Sequence, residues 1–301
     1  MSSPHPPLYL AGPTGCGKTS VALALARLFP PVEIVNADAF QVYRGLDILT
    51  AAPTAEERAL CPHHLFGVLD PSEENDAAAF AARAKATLAE VGARALPLVV
   101  GGSGLYLKAI THGLAPLPKG DAELRAALEI PPLEELVEQY RTLDPEGATQ
   151  TNLKNRRYVT RNLEICLLAG RPASVLKREW AENAPAIRGV YLHRERDDLD
   201  ARIARRTSAM FDGGLVAEVA AIGEVSTTAV KTIGLREIRS LLAGEIDEGA
   251  CREAIRLATR RYAKRQETWF QREKEFQRIR VERDDPPEKV ATEIAAVFGL
   301  A

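Results

Sequence analysis

Apolar residues gather into short runs that stop at small or polar ones: Leu8-Tyr9-Leu10, then Val32-Glu33-Ile34-Val35-Asn36-Ala37-Asp38, then Leu96-Pro97-Leu98-Val99-Val100. Runs of this length predict buried strands. Between them the apolar period lengthens. Ala79, Phe80, Ala84 and Leu88 fall on one side of a predicted helix from about Asp76 to Val91, and Ser20 to Leu28 predicts an Ala/Leu-rich helix after the first strand. Strands alternating with helices predict a parallel sheet whose ligands collect at the carboxyl ends of its strands. From Pro116 to about Ala186 the pattern changes to helical stretches without a strand, broken at Pro131-Pro132, Asp144-Pro145, Gly170-Arg171-Pro172 and Pro185. Gly189-Val190-Tyr191-Leu192 restores a strand, and only helices are expected after it.

The first strand runs into Gly12-Pro13-Thr14-Gly15-Cys16-Gly17-Lys18-Thr19, a complete phosphate-binding loop in the strand–loop–helix setting that motif requires. Its glycines let successive N–H groups and the helix N-terminus converge on one anion. Lys18 adds a point charge and Thr19 a hydroxyl for Mg²⁺. The expected class is therefore α/β: a P-loop parallel sheet core flanked by helices, with an inserted small all-helical domain. The core is assigned to residues 1–118 and 187–301, and the insertion to 119–186.

The chain has 301 residues, 46% of them hydrophobic and 27% charged, which suits a soluble cytoplasmic enzyme of one large or two modest domains. Ser2-Ser3-Pro4-His5-Pro6-Pro7 reads as a polar lead-in without the features of a signal peptide, and no membrane span is expected. Cys16, Cys61, Cys166 and Cys251 lack metal or dithiol spacing and are expected as free thiols. His63-His64 follows Cys61-Pro62, but adjacent histidines in a strand point to opposite faces, so a metal pair is not expected. The net charge of −2 conceals two basic stretches. Seven Lys/Arg stand against Glu164 alone between Lys154 and Arg178, and ten Lys/Arg against four Glu between Arg252 and Arg280. They suggest a polyanion larger than the loop's own ligand, solvated helix faces being the alternative.

A nucleotide-hydrolysing P-loop protein usually ends a second apolar strand on an Asp. Here the run at 96–100 ends in Gly101-Gly102-Ser103-Gly104-Leu105-Tyr106 instead, and no guanine-reading Asn-Lys-x-Asp appears. Asp38 is the one acidic residue at a strand end near the loop. It suits either metal binding through water or general-base work on an acceptor. Arg202 and Arg206, one helical turn apart, can face one anion and stabilise a departing phosphate or pyrophosphate. A small-molecule kinase, a group transferase and a non-catalytic RNA-binding protein all remain open on these features.

In order and spacing, the segments resemble one family, the tRNA dimethylallyltransferases, also called tRNA isopentenyltransferases. Besides the loop, the resemblance rests on Asp38-Ala39-Phe40-Gln41-Val42-Tyr43-Arg44-Gly45-Leu46-Asp47-Ile48, Thr50-Ala51-Ala52-Pro53 and Pro62-His63-His64-Leu65. It continues through Val100 to Tyr106, Arg161-Asn162-Leu163-Glu164, Thr232-Ile233-Gly234-Leu235-Arg236-Glu237 and Lys264-Arg265-Gln266-Glu267-Thr268-Trp269. It implies that loop residues Gly12 to Thr19, with Arg206, hold the pyrophosphate of dimethylallyl diphosphate, with Mg²⁺ at Thr19. The exocyclic N6 amine of an adenosine beside the anticodon attacks the allylic carbon. Asp38 matches the family's base, Ser103 a Thr of its Gly-Gly-Thr turn, and Arg202 an arginine near the pyrophosphate.

The resemblance also implies tRNA contacts, through the anticodon stem-loop, at Asp38, Ala39, Phe40, Gln41 and Ser103, and at Arg157, Tyr158, Val159, Thr160 and Arg161. Further contacts are implied at Thr232, Ile233, Gly234, Leu235, Arg236 and Glu237, and at Lys264, Arg265, Gln266, Glu267, Thr268, Trp269, Phe270 and Gln271. The insertion would grip the stem with Arg156, Arg157 and Arg161. Gln266 and Phe270, four apart on one helix face, would offer an amide beside an aromatic surface. The adenine would have to leave the loop stack to reach the protein's interior. A monomer without an obligate protein partner is expected. The chain departs from the family pattern at Gly15-Cys16 for Ala-Ser, Ala39 for Ser, Ser103 for Thr, Asn162 for Ala, Leu235 for Tyr, and in a shorter insertion around Ile130-Pro131.

Overall fold

The computed structural model describes residues 4–182 and 186–300, with residues 181 and 182 described by backbone alone. Ser2, Ser3 and the expected break at Pro185 lie outside the described residues. Two compact units emerge: residues 1–111 with 186–301, and residues 112–185.

In the first unit, β1 (Leu8–Ala11), β2 (Val32–Asn36), β3 (His63–His64), β4 (Leu96–Gly101), β5 (Arg188–His193) and β6 (Phe276–Arg280) form one parallel sheet in the order β3-β2-β4-β1-β5-β6. The expectation of helices alone after residue 192 fails at β6. There Phe276 and Ile279 are buried between exposed Gln277, Arg278 and Arg280, and this edge strand shows too few apolar residues to stand out. β2 ends at Asn36, so Asp38 sits in the loop beyond it rather than on the strand.

The period of two along each strand builds the sheet's two faces. Leu8, Leu10, Ile34, Leu98, Val100, Val190 and Leu192 pack with α1 (Lys18–Leu28) and the C-terminal helix (Pro287–Phe298). Tyr9, Ala11, Val35, Ala37, Val99 and Tyr191 face Leu107, Phe270 and Phe276 on the other side. α2 (Asp47–Thr50), α3 (Ala55–Leu60) and α4 (Ala77–Gly92) follow β2. Asp76 caps α4, its carboxylate accepting from Ala78 and Ala79 N–H at 2.9 and 2.8 Å. α5 (Gly104–Thr111) leaves the glycine turn after β4.

The regular elements of the second unit's described residues are all helices: α6 (Ala122–Glu129), α7 (Leu133–Leu143), α8 (Pro145–Gln150), α9 (Arg156–Ala169) and α10 (Ala173–Glu182). Leu128, Leu136, Tyr140, Val159, Leu163 and Ile165 form its core. The first unit resumes with β5 and α11 (Arg196–Asp212), α12 (Leu215–Ala220), α13 (Leu235–Leu242) and α14 (Glu248–Phe270); α15 is the C-terminal helix. Among the described residues no helix is long and apolar enough to cross a membrane.

Candidate functional site

β2, β4 and β1 are consecutive in the sheet, so three loops meet at their carboxyl ends: the one carrying Asp38, the glycine turn carrying Ser103, and the phosphate-binding loop. Gly17 caps α1 at φ 99°, a left-handed conformation that a side chain resists, and it turns the chain from loop into helix. Cys16 N–H donates to the Pro13 carbonyl at 3.3 Å, and the Lys18 ammonium donates to the Gly12 and Pro13 carbonyls at 2.9 and 3.0 Å. The Cys16 side chain is fully buried within the α1 face of the core, so its thiol does not line the loop.

α11 brings its arginines to the loop. Arg202 Nε donates to the Gly15 carbonyl at 2.8 Å, and Arg206 donates to the Thr14 hydroxyl at 2.7 Å. The helical spacing of 202 and 206 thus does aim both at one place, and neither is in an ion pair among the described residues. Burial lowers the pKa of each, for Arg206 against the opposing charge of Asp38. Partly buried cations without an ion-pair partner favour an anion beside them. Arg194, which the sequence did not single out, braces the loop from β5's end. It donates to the Cys16 carbonyl at 2.9 Å and pairs with buried Asp198 at 2.8 Å. The local sequence offers Arg194 only the i,i+4 pair with Asp198, and its contact with the loop is hidden because Cys16 lies 178 residues away.

Asp38 is held from its own segment. Its N–H donates to Asn36 Oδ1 at 2.7 Å, Asn36 Nδ2 donates back to its carbonyl at 3.2 Å, and its Oδ1 accepts from Phe40 N–H at 2.9 Å. Ser103 Oγ accepts from Ala39 N–H at 3.2 Å and lies 3.2 Å from the Tyr262 hydroxyl. Burial first, and then the charge of Asp38, raises the Tyr262 pKa, so this phenol stays protonated. Tyr262 is a second group the sequence reading passed over; its signal was its position one turn before Gln266 on a basic helix.

Two cavities share this centre. A cleft of about 940 Å³ is lined by Thr14, Gly15, Gly17, Lys18 and Thr19, by Arg202 and Arg206, and by Asp38, with Thr50 and Met210 on its wall. A smaller one, about 50 Å³, is lined by Thr14, Asp38, Arg206 and Met210 together with Phe40, Thr232, Ile233 and Tyr262. Thr14, Asp38, Thr50, Arg206 and Met210 line both. An anion on the loop and a planar group entering past Phe40 and Ile233 would therefore meet at the Asp38 carboxylate.

The residues that resemblance assigned to tRNA divide by exposure. Arg157, Tyr158, Arg236, Lys264, Arg265, Thr268 and Gln271 are exposed, while Ala39, Phe40, Gln41, Ile233 and Glu237 are partly so. Gly234, at φ 97°, caps α13. Val159, Thr160, Thr232 and Leu235 are buried, so their side chains pack inward and only the neighbouring surface is open to a partner. The Gln41 amide donates to the Thr50 and Ala51 carbonyls at 3.1 and 3.0 Å.

Gln266 and Phe270 do share a face, but it is the buried one. Phe270 stacks in the sheet core with Tyr191, Trp269 and Phe276, and the Gln266 amide reaches the loop. Half-buried Trp269 packs over Gly104, where a Cβ would overlap its ring. Glu267 accepts from the Tyr191 hydroxyl at 2.7 Å and pairs with Arg278. Arg161 pairs at 2.5 Å with fully buried Glu164 and donates to the Pro118 carbonyl, and Arg156 donates to the carbonyls of Leu128, Glu129 and Pro131. Both arginines hold the helical unit together, which leaves Arg157 as the open cation of the three.

His63 Nδ1 lies 2.7 Å from the Cys61 carbonyl, which can only accept, while His64 bonds Glu33 at 2.7 Å. Among the described residues no group of three or more His, Cys, Asp or Glu could hold a metal.

The IPP transferase family model matches residues 41–273. A tRNA dimethylallyltransferase of Akkermansia muciniphila is 45% identical over 97% of this chain and 99% of its own length. The crystal structure of a tRNA isopentenylpyrophosphate transferase from Bacillus halodurans superimposes with a TM-score of 0.71 at 32% identity, covering 98% of this chain and 96% of the other. A eukaryotic dimethylallyltransferase acting on tRNA, at 23% identity and a TM-score of 0.79 over 97% of this chain and 78% of the other, shares the fold.

Proposed function

This chain belongs to the IPP transferase family, and on that premise we propose that its two cavities, which share lining residues, bring dimethylallyl diphosphate and a tRNA adenine together at Asp38. It is a tRNA dimethylallyltransferase. It transfers the dimethylallyl group from dimethylallyl diphosphate to the N6 amine of the adenosine adjacent to the anticodon and releases pyrophosphate.

The observation that carries the reading is that Thr14, Asp38 and Arg206 line both cavities at once. The loop N–H groups, Lys18, Arg202 and Arg206 bind the diphosphate, with Gly12 to Thr19 as its cradle. The adenine, unstacked from the anticodon loop, enters past Phe40 and Ile233. The N6 lone pair attacks the allylic carbon as the bond from that carbon to the diphosphate oxygen breaks, and the bonding pair leaves on pyrophosphate. The N6 proton passes to the Asp38 carboxylate. Ser103 holds the Ala39 N–H and thereby the Asp38 loop. The guanidiniums of Arg202 and Arg206, aimed at the leaving group beforehand, stabilise the charge that develops on it.

Thr19 and Asp38 line one cleft with oxygen donors, a set that fits Mg²⁺. Thr19 would hold the ion, which when bound supplies further charge to the diphosphate. The exposed cations Arg157, Arg236, Lys264 and Arg265 suit the phosphates of an anticodon stem-loop, the helical unit contributing the first. We place this activity in the cytoplasm, where unmodified tRNA is met.

Purified protein, dimethylallyl diphosphate, Mg²⁺ and unmodified tRNA should yield prenylated adenosine on nucleoside analysis. Absence of that product, or ATP consumption driven by a small acceptor without RNA, would defeat the reading.

A further inference from the structure

Gln266 lies on α14 amid the basic positions 261, 264 and 265, yet its carboxamide points away from them and is buried. Its Oε1 accepts from Thr14 N–H at 2.9 Å, and its Nε2 donates to the Gly102 carbonyl at 2.8 Å. One side chain thus ties the start of the phosphate-binding loop to the glycine turn that carries Ser103. A Cβ on Gly102 would overlap Gln266 Nε2 and lie 2.7 Å from the Gly12 carbonyl oxygen. The turn is bare so that the amide can enter.

We propose that Gln266 is a positioning residue for the transfer reaction, carrying the position of α14 into the diphosphate loop. α14 is a continuous helix of 23 residues. Thr259, Ala263, Gln266 and Phe270 form its buried side, while Arg261, Lys264, Arg265 and Thr268 are exposed on the other. RNA docked on the exposed side bears on a rigid element whose inner side holds Thr14. With its N–H committed to Gln266 and its hydroxyl to Arg206, Thr14 sets the path of the loop residues that follow it into α1. Removing the amide leaves the Thr14 N–H and the Gly102 carbonyl without their partner. The cost falls on the diphosphate site first, because the RNA-facing surface keeps every charge.

The inference rests on the reading of the loop as a diphosphate site, and the test separates the two. Binding of inorganic pyrophosphate with Mg²⁺ is measured by calorimetry and binding of an anticodon stem-loop RNA by fluorescence anisotropy, with kcat and KM from prenylation of tRNA. Gln266→Met should weaken pyrophosphate binding and raise KM for dimethylallyl diphosphate by about 10- to 100-fold, with RNA affinity within about twofold of the parent. Gln266→Glu retains an acceptor for Thr14 N–H while its other oxygen repels the Gly102 carbonyl, so it should fall between parent and Gln266→Met.

Gly102→Ala, which displaces the amide and also crowds the Gly12 carbonyl, should weaken pyrophosphate binding at least as much, and Gln266→Glu carries the test if Gln266→Met fails to fold. Parent-like pyrophosphate affinity in all three variants would overturn the proposal. So would equal weakening of RNA and pyrophosphate, or lost thermal stability with kcat and KM unchanged. A parent protein that binds no pyrophosphate would instead overturn the diphosphate reading itself, and the proposal with it.

Discussion

Replacing Asp38 by Asn removes a base while leaving its surroundings almost untouched. In the folded protein Asp38 Oδ1 accepts from Phe40 N–H, and Asn36 holds the backbone of residue 38 at both its N–H and its carbonyl. The amide oxygen of an Asn can accept the same Phe40 N–H, and neither Asn36 bond involves the side chain of residue 38. The folding cost should therefore stay below about 1 kcal/mol, the net value of one ordinary hydrogen bond. The catalytic cost is far larger, because an amide cannot take the N6 proton. Loss of a positioned base lowers rates by about 10²–10⁴, or about 2.7–5.5 kcal/mol of transition-state stabilisation. Single-turnover prenylation with saturating tRNA and dimethylallyl diphosphate isolates that step from binding and release. Asp38→Asn should show the full loss there while tRNA affinity stays within several-fold and the melting temperature barely moves. A single-turnover rate within about threefold of the parent would refute the assignment of Asp38 as the base.

Arg157 and Arg161 should separate, although they are four residues apart on one helix. Arg157→Ala should flatten the dependence of log affinity for tRNA on log salt by about 0.7–0.9 per phosphate released, which a salt titration reads directly. Arg161→Ala should instead cost the helical unit about 2 kcal/mol in denaturant unfolding, because buried Glu164 would keep only Arg125 and the Asp121 N–H as partners.

Acid should expose the same carboxylate. Burial raises the Glu164 pKa, but the hydrogen bond from Arg161, then the Asp121 N–H and Arg125, outweigh it and hold the group below its ordinary 4.5. Its contribution is therefore complete above that value and lost as pH falls through the lower folded one. A melting-temperature series over that range should show a loss that Glu164→Gln lacks. Gly101→Ala should destabilise the sheet core by about 2–3 kcal/mol in urea unfolding, since the added Cβ would overlap the backbone of Ala37, which has little room to yield.

The parallel sheet was legible because β1, β2, β4 and β5 are predominantly apolar runs, and burial on both faces is what such runs record. β3 and β6 were not, one being two residues long and the other half polar. The convergence of Arg202 and Arg206 could be read from their spacing, a property of the helix itself. The inward turn of Gln266, Val159 and Leu235 could not, because a basic helix carries charge on one side whichever residues it buries on the other. Arg161 misleads for the same reason. Its partner Glu164 was the lone acid in a basic stretch, and charge counting passed over the one contact that mattered.

By itself the sequence determined the chemistry available: a loop able to grip a diphosphate, one carboxylate near it in place of a water-positioning aspartate, and two arginines on one helical face. These are local facts, set by glycine's permitted φ, by the 3.6-residue period and by residue type. The tertiary structure alone decided which groups meet. Strand order placed the loops of β2, β4 and β1 side by side, so that Asp38, Ser103 and Thr14 share one centre although 24 to 89 residues separate them. Packing then chose the buried side of α14 and sent Gln266 to the loop rather than to solvent, because a helix inserts whichever side fits the space its neighbours leave.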